Sequence, residues 1–263
     1  MMTTKTEQNQ NVDLDYKLKI KDFFEDFADT WDDRFQGTKA AQYFKHKRLK
    51  LMARHLQDDY ESLLEAGCGT GFHIMRLLKA GQKGLGFDVA EKMLARARVL
   101  KESQFKNLNL EFAKDDGENL SLSSNSYDRV IFVGYLIHLQ QPQQAVNELF
   151  RVLKPGGRVV GLVSNRWNPW YSLNLRRLFA KDYGVLPRDQ EFSPPEVRQL
   201  FQNAGFKNIR LEIFNSLPGK LPNWAYYPGR LLNTAFALWP ISQLGWHIMA
   251  IAEKPRTDHR EVG

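Results

Sequence analysis

Ser62-Leu63-Leu64-Glu65-Ala66-Gly67-Cys68-Gly69-Thr70-Gly71-Phe72 decides how this chain is read. A short apolar run ends on a carboxylate, glycines follow at alternate positions, and helical periodicity resumes after Phe72. Glycine adopts the left-handed backbone of a tight turn and, lacking Cβ, lets a ligand come close. The stretch therefore predicts a strand, a ligand-cradling loop and a helix. A dinucleotide fingerprint needs G-x-G-x-x-G, and its third glycine would fall at Phe72. Glu65 would also repel a pyrophosphate, whereas it suits an ammonium group.

Outward from this loop, 84–88, 108–113, 129–134 and 158–164 are apolar runs of buried-strand type. Between them, 72–79, 90–100 and 143–153 carry helical periodicity, so the middle of the chain predicts βαβ units around a parallel sheet. Upstream, 13–31 and 39–56 are amphipathic helices, and residues 1–12 are expected to be disordered. Downstream come a helix over 194–204 and strands over 207–214 and 246–253. The segment 215–245 between those strands is too long for a hairpin turn and predicts a helical insertion. The expectation is one domain over 13–263, with N-terminal helices at 13–59, a cofactor-binding core at 60–165, and substrate-side insertions at 166–192 and 215–245.

Asp88 closes the second strand, where a carboxylate about 20 residues beyond a glycine loop accepts hydrogen bonds from a ribose diol. Asp115-Asp116-Gly117-Glu118-Asn119-Leu120 follows the third strand and offers a carboxylate and a backbone amide to an adenine, from either Asp115 or Asp116. Ribose, adenine and an amino-acid end together make S-adenosylmethionine. The ordered motifs EAGCGTG, GFDVAEKML, KDDGENL, SYDRVIFVGYLIHL and RVLKPGGRVVGLV resemble the class I S-adenosylmethionine-dependent methyltransferases. The similarity is greatest to the small-molecule branch that includes ubiquinone and menaquinone biosynthesis methyltransferases. It covers about 60–165, with a looser fit of FFEDFADTWDDRF to the helix that lids the cofactor there.

That resemblance implies a Rossmann-like α/β fold: a seven-stranded, mostly parallel sheet flanked by helices, with N-terminal lid helices and a helical insertion before an antiparallel last strand. It implies Glu65, Ala66, Gly67, Cys68, Gly69 and Gly71 around the methionine end, and Asp88 with Val89 at the ribose. It further implies Asp116 with Gly117 at the adenine, and Val133, Gly134 and His138 near the sulfonium. The cofactor would be S-adenosyl-L-methionine, and the product S-adenosyl-L-homocysteine (SAH). Methyl transfer needs orientation and a dry site rather than a metal. Some relatives place a Glu and His cluster after the fourth strand, but here Tyr135-Leu136-Ile137-His138-Leu139 has no carboxylate, and no metal is expected. His138 is the best-placed general base for a hydroxyl acceptor, against a bland reading as a packed, hydrogen-bonded residue.

The acceptor is expected to be a small organic or lipid-like molecule. Trp31, Tyr43, Arg48, Trp167, Trp170 and Arg176 are its candidate contacts; Arg48 is alternatively a ligand of the methionine carboxylate. Cys68 reads as a small filler and His73 as structural. A net charge of +7, weighted toward the last third, admits an RNA-modifying enzyme as an alternative, but no appended RNA-binding module is recognisable. A non-catalytic cofactor-binding module is the third reading. One cysteine excludes an internal disulfide, and the start resembles no secretory signal, so a cytoplasmic location is expected, with peripheral membrane contact through the aromatic and basic segments. Residues 231–251 are interrupted by Pro240 and polar side chains and are not expected to span a bilayer. The sequence leaves the oligomeric state open.

Overall fold

A computed structural model describes residues 3–31, 38–57, 59–173, 189–214, 222–235 and 241–256. Helices α1 (Thr3–Phe27) and α2 (Lys39–Leu56) precede β1 (Ser62–Ala66), the short α3 (Ile74–Leu77), β2 (Lys83–Asp88), α4 (Glu91–Gln104) and β3 (Asn109–Lys114). Next come β4 (Tyr127–Val133), a 3-10 turn at Leu136–His138, α5 (Pro142–Val152), β5 (Leu153–Ser164) and α6 (Pro169–Ser172). The chain continues with α7 (Pro194–Asn203), β6 (Lys207–Phe214), α8 (Tyr226–Ala235) and β7 (His247–Glu253).

The strands form one seven-stranded sheet in the order β3-β2-β1-β4-β5-β7-β6. β7 runs antiparallel to both neighbours, and the other pairs are parallel. Side chains alternate across the pleat, so each strand feeds two cores. Leu64, Val130, Val159 and Ala250 meet Val146 and Leu149 of α5 and Val197 and Phe201 of α7 on one face. Leu63, Ile131, Val160 and Met249 meet Met52 of α2, Ile74 of α3 and Leu94 of α4 on the other. A Cβ at Gly161 would overlap the Phe132 ring, so that glycine lets the central strands keep a phenylalanine between them. The strand order reverses at β1 and β4, which opens a crevice beyond their C-terminal ends.

Several boundaries differ from expectation. α1 begins at Thr3, so residues 3–12 are helical where disorder was expected; helix extension costs little once a nucleus exists, and no Gly or Pro interrupts this stretch. The helix after the glycine loop covers only Ile74–Leu77 rather than 72–79, because the Glu65 carboxyl takes the Ile74 N–H at 3.0 Å and Leu78 is already extended. β5 starts at Leu153, five residues early, and carries the Lys154-Pro155-Gly156-Gly157 turn within the strand. The insertion before β7 contains α8, as its length required. No described helix is long and apolar enough to cross a membrane.

Candidate functional site

Gly67, Gly69 and Gly71 all have positive φ, of 61°, 52° and 75°, where other residues are strained. Their surroundings differ: a Cβ at Gly67 would press on Tyr135 at 2.7 Å and one at Gly71 on Met75 and Phe112 at 2.8 Å, while Gly69 faces open space. Asp88 fastens the loop from the next strand, its carboxylate accepting from Gly69 N at 2.9 Å and Ala90 N at 3.0 Å. The backbone N–H of Val89 adds to this, although burial still raises the Asp88 carboxyl above its ordinary range. Ala66 is a fully buried core residue. Cys68 is buried against Gly86, where a Cβ would come within 2.9 Å of its Sγ, and burial pushes its thiol up, in accord with a filler.

Glu65, 1% exposed, accepts from Ile74 N and lies 2.9 Å from His73 Nδ1. Burial raises the Glu65 carboxyl to about 8 and drives the His73 imidazole well below its usual range. Both effects place the shared proton on the carboxyl, which donates to Nδ1. His73 Nε2 is then a buried N–H without a partner, and Arg48 Nε on α2 is another. Burial lowers the Arg48 guanidinium to about 10, with the Glu65 carboxyl opposing that shift. His247 at the start of β7 stacks on Phe44 at 4.9 Å and Phe214 at 5.4 Å; burial holds it neutral, near 3, with Nδ1 also unpaired. Arg48 Nε and His73 Nε2 are thus two buried donors without a partner, which a carboxylate would satisfy.

Beyond β3, Asp115 is spent on the turn, accepting from Ser121 N at 3.1 Å and Ser121 Oγ at 2.9 Å. Asp116 faces α1, whose Lys17 Nζ lies 2.7 Å from it and 2.6 Å from Glu118. Gly117 is a glycine because the Tyr135 ring and hydroxyl occupy the space of a Cβ. The Tyr135 hydroxyl is buried without a partner, so this side chain bridges the Gly67 and Gly117 loops. α1 touches the same edge twice more: Glu25 accepts from Glu91 N and Lys92 N at the start of α4, and Phe24 meets the His138 ring edge-on at 5.1 Å.

Val133 ends β4, and Gly134, with φ 66°, donates to Leu162 O at 2.9 Å and turns the chain into the 3-10 segment that carries His138. His138 Nδ1 lies 2.8 Å from Asp189 Oδ1. Trp31 packs edge-on against Phe24 at the seam of α1 and α4, beside Ala90 and Met93. Tyr43 meets Tyr226 of α8 at 6.2 Å, with Arg230 over its ring at 5.1 Å, so α2 and α8 adjoin. Trp167 is 43% exposed after β5. Trp170 lies in α6, but its side chain falls outside the described residues, as does Arg176. Among the described residues, no group of three or more His, Cys, Asp or Glu is arranged to hold a metal.

Residues 64–161 match the family described as "Methyltransferase domain". The demethylmenaquinone methyltransferase of Lactococcus lactis is 34% identical over 187 residues, covering 63% of this chain and 73% of its own length. The chain belongs to the class I S-adenosylmethionine-dependent methyltransferases. This methyltransferase is also 27% identical to a ubiquinone biosynthesis O-methyltransferase of Coxiella burnetii over 77% of its chain and 86% of the relative. It shares its fold with the magnesium protoporphyrin IX methyltransferase of Synechocystis, solved with bound SAH, at a TM-score of 0.61 and 18% identity over 90% and 99% of the two chains. Its cofactor is S-adenosylmethionine. Sequence reasoning missed Lys17, Tyr135, His247 and Asp189, which the structure sets against the expected site residues Asp116, Gly67, Arg48 and His138. Only a glycine at 117 beside an aromatic after β4 hinted at one of them, and the Lys17 and Asp189 contacts span 99 and 51 residues.

Proposed function

We propose that this enzyme methylates a small, hydroxyl-bearing organic acceptor of the quinone-precursor type by metal-independent in-line displacement. The observation that carries the reading is the His138 imidazole, set between Asp189 and Phe24 where β4 ends beside the glycine loop. Open space at Gly69 and the unpaired donors of Arg48 and His73 fit the cofactor. Bound there, S-adenosylmethionine supplies a methyl group on a positively charged sulfur that departs as a neutral thioether.

In this reading Glu65, Ala66, Gly67, Cys68, Gly69 and Gly71 surround the methionine end, and Arg48 with His73 holds its carboxylate. The Glu65 carboxyl fixes His73 so that Nε2–H points away from it. Asp88 and Val89 take the ribose, Asp116 and Gly117 the adenine, and Val133 and Gly134 line the reacting end. His138 removes the acceptor proton. Trp31, Tyr43, Trp167, Trp170 and Arg176 belong to the acceptor side, with 13–59 as a lid on the single domain and 166–192 and 215–245 as substrate-side insertions. The quinone-biosynthesis relatives support this acceptor class.

The test is calorimetric titration of SAH against NADH, followed by turnover on hydroquinones, catechols and lipids. Micromolar SAH affinity, silence from NADH and methylation of a hydroquinone or catechol are expected; turnover restricted to RNA or to amines would refute the acceptor class. Exposure of Trp167 at 43%, Trp224 at 83% and Leu231 at 76% favours peripheral lipid contact as an added property. Liposome co-sedimentation that survives Trp167→Ser and Trp224→Ser would remove these side chains from that contact, and no co-sedimentation of the wild type would remove the contact itself.

A further inference from the structure

We infer that Asp189 is a positioning residue that holds His138 with its proton on Nδ1 and its Nε2 lone pair toward the cleft, so that the site takes its acceptor through an ionisable hydroxyl. This rests on the proposed function and narrows it to the chemistry of one proton.

Asp189 Oδ1 and His138 Nδ1 are 2.8 Å apart, with side chains only 8% and 21% exposed. The placement of Asp189 is built into the backbone. Gln190 N donates to Ile137 O at 2.8 Å, and Gln190 Nε2 donates to Leu139 O at 2.8 Å, clasping the turn that carries His138 from both sides. Two residues on, Phe192 N donates to Ser164 O at 3.1 Å and Phe192 O accepts from Arg166 N at 2.9 Å, which ties the segment to the end of β5. A carboxylate only accepts, so a neutral imidazole makes this bond with hydrogen on Nδ1 and a lone pair on Nε2. Among the described residues Nε2 makes no hydrogen bond, and the Phe24 ring at 5.1 Å restricts rotation. From β2, the Asp88 carboxyl is in electrostatic contact with His138, so carboxyl groups on two elements face the imidazole.

Such a base matters where a proton must leave before the nucleophile is competent, as for a phenol or enol, and little for a neutral amine. The hydroxyl proton passes to Nε2, the oxygen pair it leaves forms the bond to the methyl carbon, and the carbon–sulfur pair stays on sulfur. The imidazolium then returns its proton to water. Loss of the tautomer lock leaves the geometry in place but presents Nε2–H to the hydroxyl, which is how carboxylate-to-amide changes disable histidine bases elsewhere.

The decisive measurement is ring nitrogen NMR of the full-length protein, with and without SAH, using His138→Gln to assign the signal. The wild type is expected as the Nδ1–H form, and Asp189→Asn as predominantly Nε2–H, with SAH affinity within twofold of wild type in both. On a short-chain hydroquinone and a catechol, Asp189→Asn should lower kcat by about 10²–10⁴-fold at nearly constant KM, and Asp189→Glu should restore part of it. A wild-type Nε2–H signal, or an Asp189→Asn spectrum identical to wild type, overturns the positioning role without reference to any acceptor. A switched tautomer with unchanged kcat overturns the base. Wild-type silence on both hydroxyl probes, with SAH bound, overturns the acceptor class alone.

Discussion

Asp88→Asn separates two roles of one carboxylate. Asp88 accepts from Gly69 N at 2.9 Å through one oxygen and from Ala90 N at 3.0 Å through the other, with Val89 N contributing. Asparagine keeps one acceptor and turns an NH₂ toward an N–H that needs a partner. One charge-assisted bond is lost, so the free protein should lose about 1.5–3 kcal/mol. For a domain of this size that is a fall in Tm of about 4–10 °C. If the remaining lone pairs hold the ribose, the same change weakens SAH binding by about 10–150-fold. At an SAH concentration 100 times the wild-type Kd, the wild type gains about 2.7 kcal/mol, while a variant weakened 50-fold gains about 0.6. Thermal scans with and without SAH read both effects. A lowered Tm for the free variant, with an SAH-induced rise equal to that of wild type, would show that Asp88 only clamps the loop and would refute the ribose assignment.

Glu65 carries a proton in the folded state up to about pH 8, whereas an unfolded chain releases it in the ordinary carboxylate range. At this site the unfolded state therefore binds fewer protons, and the Glu65 contribution to stability falls as pH rises from about 5 to 8, by up to about 1.4 kcal/mol per unit; His73 and His247, held neutral in the fold, oppose it below about pH 6.5 and leave the fall visible above that. Glu65→Gln, whose amide can accept from Ile74 N and donate to His73 Nδ1, should remove the fall in Tm between about pH 6.5 and 8; parallel profiles for the two proteins would sink the neutral-carboxyl reading. Separately, α1 is held by Lys17 on Asp116 and Glu118 and by Glu25 on the start of α4. These half-exposed contacts are worth about 0.5–1 kcal/mol each, so Lys17→Ala with Glu25→Ala should speed amide exchange in residues 15–27 about 5–30-fold and leave β1 and β4 unchanged. Unaltered exchange in α1 would mean that its apolar face alone docks it.

The order of strands and helices through the core was legible because each buried strand is a continuous apolar run punctuated by glycine or acid, and period alone separates it from the helices. The antiparallel pair β6 and β7 matched the expected topology, as did the helical content between them. Boundaries failed where a distant group set them: the Glu65 carboxyl delayed α3, and no local pattern announced it. The sequence favoured Asp116 over Asp115 at the acidic loop but did not show the contacts that distinguish them: Ser121 bonds the first and Lys17 approaches the second.

By itself, the sequence determined the sheet, the glycine loop and the class of ligand, since backbone freedom at Gly67, Gly69 and Gly71 and a carboxylate at Asp88 are local properties read in order along the chain. Only the tertiary structure decided which groups face one another. It set Asp189 on His138, Lys17 on the acidic loop, Tyr135 between two glycines, and Arg48 beside two neutral histidines. Those pairings depend on loop closure over long separations and on burial, which shifts protons between side chains, and neither distance nor desolvation is written in the local pattern.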